Sequence, residues 1–176
     1  MAGNTPAEAV ENFIGPLRRV VGCLAQTVLV ASHYAPVEFD APRAVVVGGG
    51  GQAKIECRDD LILDIAHFFR VVEATGDTGP FRCRTLGYAY DFRHVDGPSV
   101  LAFHWHPDSR VRSPHAHVGQ YSRPVDLTKL HIPTGRVSVE AVVRLAIEEF
   151  DVVPQRDDWE AVITASEDAF DRYREW

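Results

Sequence analysis

Residues 98 to 118 constrain this chain more than any other stretch. They read Pro-Ser-Val-Leu-Ala-Phe-His-Trp-His-Pro-Asp-Ser-Arg-Val-Arg-Ser-Pro-His-Ala-His-Val. Two His-x-His pairs, His104/His106 and His115/His117, flank a short basic loop. Pro107 and Pro114 bracket that loop and exclude a helix across it. In a strand, residues two apart share a face. Val100, Ala102, His104 and His106 therefore point one way, and Leu101, Phe103 and Trp105 point the other. The second set is core-like, so the imidazoles belong on the opposite face. If the register of the two strands puts both pairs on that face, four imidazoles converge.

The segment before it supports a sheet. Arg82 to His94 alternates, with Leu86, Tyr88, Tyr90 and Phe92 on one face and Gly87, Ala89, Asp91 and Arg93 on the other. Asp96-Gly97 is a strong hairpin signal. Residues 82 to 118 thus predict a three-stranded antiparallel meander. Leu61 to Glu73 is rich in β-branched and aromatic residues and reads as another strand. Ala53 to Cys57 reads as a short one. Residues 18 to 47 are expected to be largely β structure. Gly48 to Gly51 lacks the lysine and the helix of a phosphate loop and reads as a turn.

Helices are expected at the two ends. Thr5-Pro6-Ala7-Glu8 is a capped helix start. Val10, Phe13, Ile14 and Leu17 follow at helical spacing, and Gly15-Pro16 should stop or kink the helix. Ser138 caps a second helix whose apolar stripe runs Val139, Val142, Val143, Ala146, Ile147 and Phe150. Asp157 is read as the cap of a last helix with Trp159, Ile163, Phe170 and Tyr173 along one side. That stripe suits core packing or a contact between copies of the chain. The expectation is one α+β domain over residues 1 to 176: an antiparallel sheet of about six strands, a short N-terminal helix and two C-terminal helices.

Charge and cysteines narrow the setting. A formal net charge of −7 disfavours general adhesion to nucleic acid or anionic lipid, so any such contact needs a local basic patch. Cys23, Cys57 and Cys83 include no closely spaced pair, which fits a reducing cytoplasm. The first residues carry no secretory pattern, and no apolar run spans a bilayer.

Two chemistries suit the histidines. In one, His115 and His117 act as general acid and base, supported by His104 and His106. With Arg112 and Arg123 on phosphate oxygens, such a set cleaves RNA through its own 2′-hydroxyl and needs no metal or other cofactor. In the other, three or four imidazoles hold a divalent ion such as zinc, because His-x-His places two ligands on one face. The segment from His115 to Val118 also begins a histidine-triad pattern, but Gly119 stands where the third histidine is required.

The order of elements resembles a known family. An aromatic strand Tyr88-Ala89-Tyr90 leads into the Asp-Gly turn. A second strand ends Phe103-His104-Trp105-His106. Ser113-Pro114-His115-Ala116-His117-Val118 and a terminal amphipathic helix follow. This arrangement looks like the TumE-type toxins of bacterial toxin–antitoxin pairs, over roughly residues 52 to 150 and most closely over 88 to 118. Ala116 here separates histidines that the family often carries side by side. The resemblance implies a small α+β domain, RNA as target and an antitoxin protein as partner. A non-catalytic module, whose histidine face takes a metal or a protein partner, is the alternative from the residues themselves.

Overall fold

In the computed structural model, residues 2–25, 29–30, 41–47, 54–75, 79–119 and 130–172 are described. The strands are β1 (Ala2–Gly3), β2 (Leu29–Val30), β3 (Arg43–Val47), β4 (Ile55–Glu56), β5 (Leu61–Glu73), β6 (Phe81–His94), β7 (Ser99–Trp105), β8 (His115–Val118) and β9 (Ile132–Pro133). The helices are α1 (Pro6–Val21), α2 (Val139–Glu149) and α3 (Trp159–Arg172). All nine strands join one antiparallel sheet, in the order β2-β3-β5-β6-β7-β8-β9, with β1 on β6 and β4 on β5. This is the expected α+β architecture. β4 falls within the short strand expected at 53–57 and β2 within the expected β region. The unexpected strands are the two-residue β1 and β9, too short to leave an alternating pattern.

β5 and β6 form the spine. Leu61 pairs with His94 and Glu73 with Phe81, with a register shift after Phe68. The inner face of this ribbon carries Leu63, Ile65, Phe69, Tyr88, Tyr90 and Phe92, all buried. α1 lays Phe13, Ile14 and Leu17 over it, and Phe13 meets Phe69 with ring centroids 4.8 Å apart. α2 and α3 complete the layer, with Val142, Val143, Ala146 and Ile163 in the same core. The outer face has no helix over it among the described residues, and the histidine pairs lie there. No helix among the described residues is long and apolar enough to cross a membrane.

Three expectations need correction. α1 does not stop at Gly15-Pro16 but runs sixteen residues through Pro16. An interior proline costs roughly 3 kcal/mol, yet Leu17, Val20 and Val21 beyond it are all buried. Burying such side chains returns about 1.5–3 kcal/mol each, so the helix continues. It follows that residues 18 to 21 are helix rather than strand, while β2 and β3 keep the later part of the expected β region. The last helix begins one residue later than Asp157 implied. Val162 N–H donates to the Asp158 carbonyl, and the Asp158 carboxylate accepts from Arg156. Gly48 to Gly51 and Tyr173 lie outside the described residues.

Candidate functional site

Register decides whether the imidazoles meet, and it brings them together. β7 and β8 pair so that His104 stands opposite His115 and Ala102 opposite His117. All these side chains are on the outer face, because Phe103 and Trp105 pack with the inner core. The His104 ring lies 6.1 Å from His115 and 4.9 Å from His117, centroid to centroid. His106, just past the end of β7, is exposed and lies 5.4 Å from His104.

A fifth ring joins that the pattern of pairs did not assign. β9 pairs with β8, Ile132 opposite Ala116, which carries His131 alongside. The His131 ring is 5.0 Å from His115 and 4.6 Å from His117. No alternation marks so short a strand, so nothing in the sequence fixes this neighbour.

Asp91 is the other unassigned contributor. It sits on the outer face of β6, opposite Ala102. Its carboxylate accepts from His104 Nε2 at 3.4 Å and from the Ser99 hydroxyl. Burial pushes the Asp91 carboxyl up, but the hydrogen bonds from His104 and Ser99, with the charges of His104 and Arg93, hold it below its ordinary range. Arg93 is itself anchored, Nε to Asp64 Oδ2 at 2.6 Å.

These contacts fix ring chemistry. His115 is only 4% exposed, and its Nδ1–H donates to the Ser113 carbonyl at 2.8 Å. That leaves its Nε2 with a lone pair. In its neutral form His104 donates through Nε2 to Asp91 and has its lone pair on Nδ1. Burial, then the neighbouring His104 and His115, lower the pKa of His106. Burial and the same neighbours, with His131, lower that of His117.

Three of the five rings form a tighter set. His104, His115 and His117 each present a nitrogen, and these nitrogens lie within 4.8 Å of one another. Ligands of a tetrahedral zinc at about 2.0–2.1 Å stand roughly 3.4 Å apart, so small ring rotations close the set. Two of the rings also have the kinds of hydrogen-bond partner that metal-bound histidines use, a carboxylate for His104 and a backbone carbonyl for His115. Three protein ligands leave a position for water or substrate.

The cations are placed less directly. The Arg112 side chain is exposed, while its carbonyl accepts from Trp105 Nε1 at 3.2 Å and so ties the loop to the core. Arg110 is also exposed on that loop. Arg123 lies outside the described residues.

Gly119 closes β8 and explains why no histidine stands there. A Cβ at this position would lie 1.9 Å from the Ser99 carbonyl oxygen, where Gly119 N–H donates to Val100 at 2.7 Å. Gly119→Ala should therefore push β8 off β7 and cost about 1–3 kcal/mol, as overpacking does. Urea denaturation of the two proteins measures it; equal midpoints would refute the close approach.

Comparison of the chain with family models, with curated proteins and with solved structures gives no match, so the site's own geometry carries its interpretation.

Proposed function

We propose that the outer face of the sheet is a divalent-metal centre that cleaves phosphodiesters, with RNA as substrate. His104, His115 and His117 are its ligands. The observation that carries this reading is the set of three imidazole nitrogens within 4.8 Å, two of whose rings are held by hydrogen bonds to Asp91 and the Ser113 carbonyl. An ion held by these three residues would supply an activated water and polarise a phosphoryl oxygen. His106 and His131 flank the set and would exchange protons with the reacting group. Arg110 and Arg112 give the rim a positive loop in an otherwise acidic protein, which suits an anionic substrate.

A second reading keeps the same rings and dispenses with the metal. His115 and His117 then act as acid and base, with Arg112 on the phosphate. The crowding of five imidazoles beside that basic loop favours it. The likeness of residues 88 to 118 to TumE-type toxins supports an RNA target under either route, with an antitoxin as partner.

Elemental analysis of the purified protein, paired with cleavage of single-stranded RNA with and without chelator, separates these readings. The metal reading expects about one zinc per chain, cleavage lost on chelation and restored by added ion. Cleavage that persists in chelator supports the metal-free route instead. Zinc-loaded protein that leaves RNA intact would remove the nuclease and leave a metal-binding interaction module.

A further inference from the structure

The histidines occupy only the β7–β8 side of the outer face. Across the same face, β5 and β6 carry a second group of side chains that the cluster does not use. Alternation fixes their side. His67, Phe69 and Val71 belong to the inner layer, so Phe68 and Arg70 between and beyond them point outward. On β6, Cys83 bonds the Ala9 carbonyl of α1 and Thr85 bonds His67, so Arg84 between them points outward too. Arg70 and Arg84 stand directly opposite each other.

Phe68 is the unusual member, a phenyl ring 36% exposed in the middle of a sheet. Its cross-strand neighbours are Ala44 on β3 and Gly87 on β6, neither of which can cover it. Gly87 has no room for a side chain, because a Cβ there would collide with the Trp105 carbonyl oxygen. The arginines beside the ring are equally exceptional. Like charges set opposite each other in a sheet repel, and an anion between them reverses the sign. Arg84 is exposed, and no carboxylate among the described residues pairs with it.

Register ties this group to the histidines. His104 stands opposite Ala89, Ala89 opposite Ala66, and Phe68 lies two residues further along β5. Strand spacing and rise put Phe68 roughly 12 Å from His104. Gly87, Ala89 and Ala66 leave the ground between them low. His106 lies on the Phe68 side of His104, where β7 ends. An exposed aromatic ring next to guanidinium groups is how proteins hold a single nucleic-acid strand, by stacking a base and neutralising a phosphate. An acidic peptide would use the arginines but would leave the ring without a stacking partner.

We propose that the outer face of β5 and β6 is the track along which single-stranded RNA reaches the histidines, with a base stacked on Phe68 and a phosphate between Arg70 and Arg84. It rests on the reading of the cluster as a ribonuclease centre and adds a selectivity to it. Unpaired RNA can lay a base on the ring, whereas a duplex keeps its base faces stacked inside. Fluorescence anisotropy of the full chain with a labelled 2′-O-methyl RNA strand reads binding, and gel analysis of the unmodified strand reads cleavage separately. Phe68→Ala should weaken binding about tenfold, within the worth of one base on an aromatic ring, and Phe68→Tyr should restore it. Arg84→Gln should weaken binding and reduce the slope of log affinity against log salt by about 0.7, the single-strand value for one phosphate. The duplex form should bind the unaltered chain no better than it binds Phe68→Ala. Equal affinity of the unaltered chain, Phe68→Ala and Arg84→Gln overturns the track whether or not RNA is cleaved, as does an unaltered chain that binds no RNA. A Phe68→Ala chain that changes only its oligomeric state assigns the ring to a contact between copies and overturns it as well. Affinity that falls in both variants, with no cleavage by any of the proteins, keeps the track and removes the nuclease. Should Phe68→Ala fail to fold, Phe68→Tyr, the duplex and the exposed Arg84→Gln still decide the matter.

Discussion

His117→Ala should lower zinc affinity by more than about 100-fold, beyond the 10–100-fold that outer partners of a ligand usually command. His117 is the ligand to remove first, because it is only half-buried. Its truncation tests the metal without disturbing the core. His115, at 4% exposure, would confuse lost binding with lost packing. Asp91→Asn should fall lower in the series, roughly 10–100-fold. It keeps the shape at His104 but removes the charge that orients the ring. His131→Ala should cost least, since its ring touches His115 and His117 without belonging to the tight set. Competition against a zinc-chelating dye gives all three constants, with circular dichroism to confirm the fold. Unaltered protein and His117→Ala with equal affinity would refute the three-histidine assignment.

That series separates what the sequence made legible from what it concealed. Two-residue alternation was enough to place His104 and His106 opposite Phe103 and Trp105, because a strand has only two faces and one of them had to be core. Leu61 to Glu73 and Arg82 to His94 were legible as strands for the same reason, helped by their β-branched and aromatic content. Register was not legible. It depends on where the Asp96-Gly97 turn closes and on a shift between Phe92 and Arg93, which moves every later pair by one residue. Asp91 was placed on the correct face, but its approach to His104 follows only from that register. His131 was hidden more deeply, since β9 is two residues long and a polar stretch separates it from β8. The run of α1 through Pro16 failed differently. Local preference argued for a stop, and the buried face beyond the proline outweighed it.

The inner face sets a second large effect, on stability against pH. His67 lies between Phe13, Tyr90 and Thr85, and shares its cleft with Tyr88, Arg136 and Glu140. Burial lowers its pKa to about 4. The folded chain therefore keeps this imidazole neutral at pH values where the unfolded chain, with the ordinary value near 6.5, has already taken the proton. The unfolded state binds more protons between those two values, so stability falls as pH drops through that window. It is complete above about pH 6.5 and the loss from this residue ends below about pH 4. At 1.36 kcal/mol per pH unit the full effect is about 3 kcal/mol. His67→Gln keeps a donor and an acceptor for Tyr90 and Thr85 but cannot titrate. Urea unfolding from pH 7 to pH 4 should show the unaltered chain losing about 3 kcal/mol more than His67→Gln. Other groups titrate in the same range, but they are common to both proteins and cancel in the difference. Parallel stability curves would mean that His67 takes up its proton in the folded chain, through an opening of the cleft between α1 and the sheet.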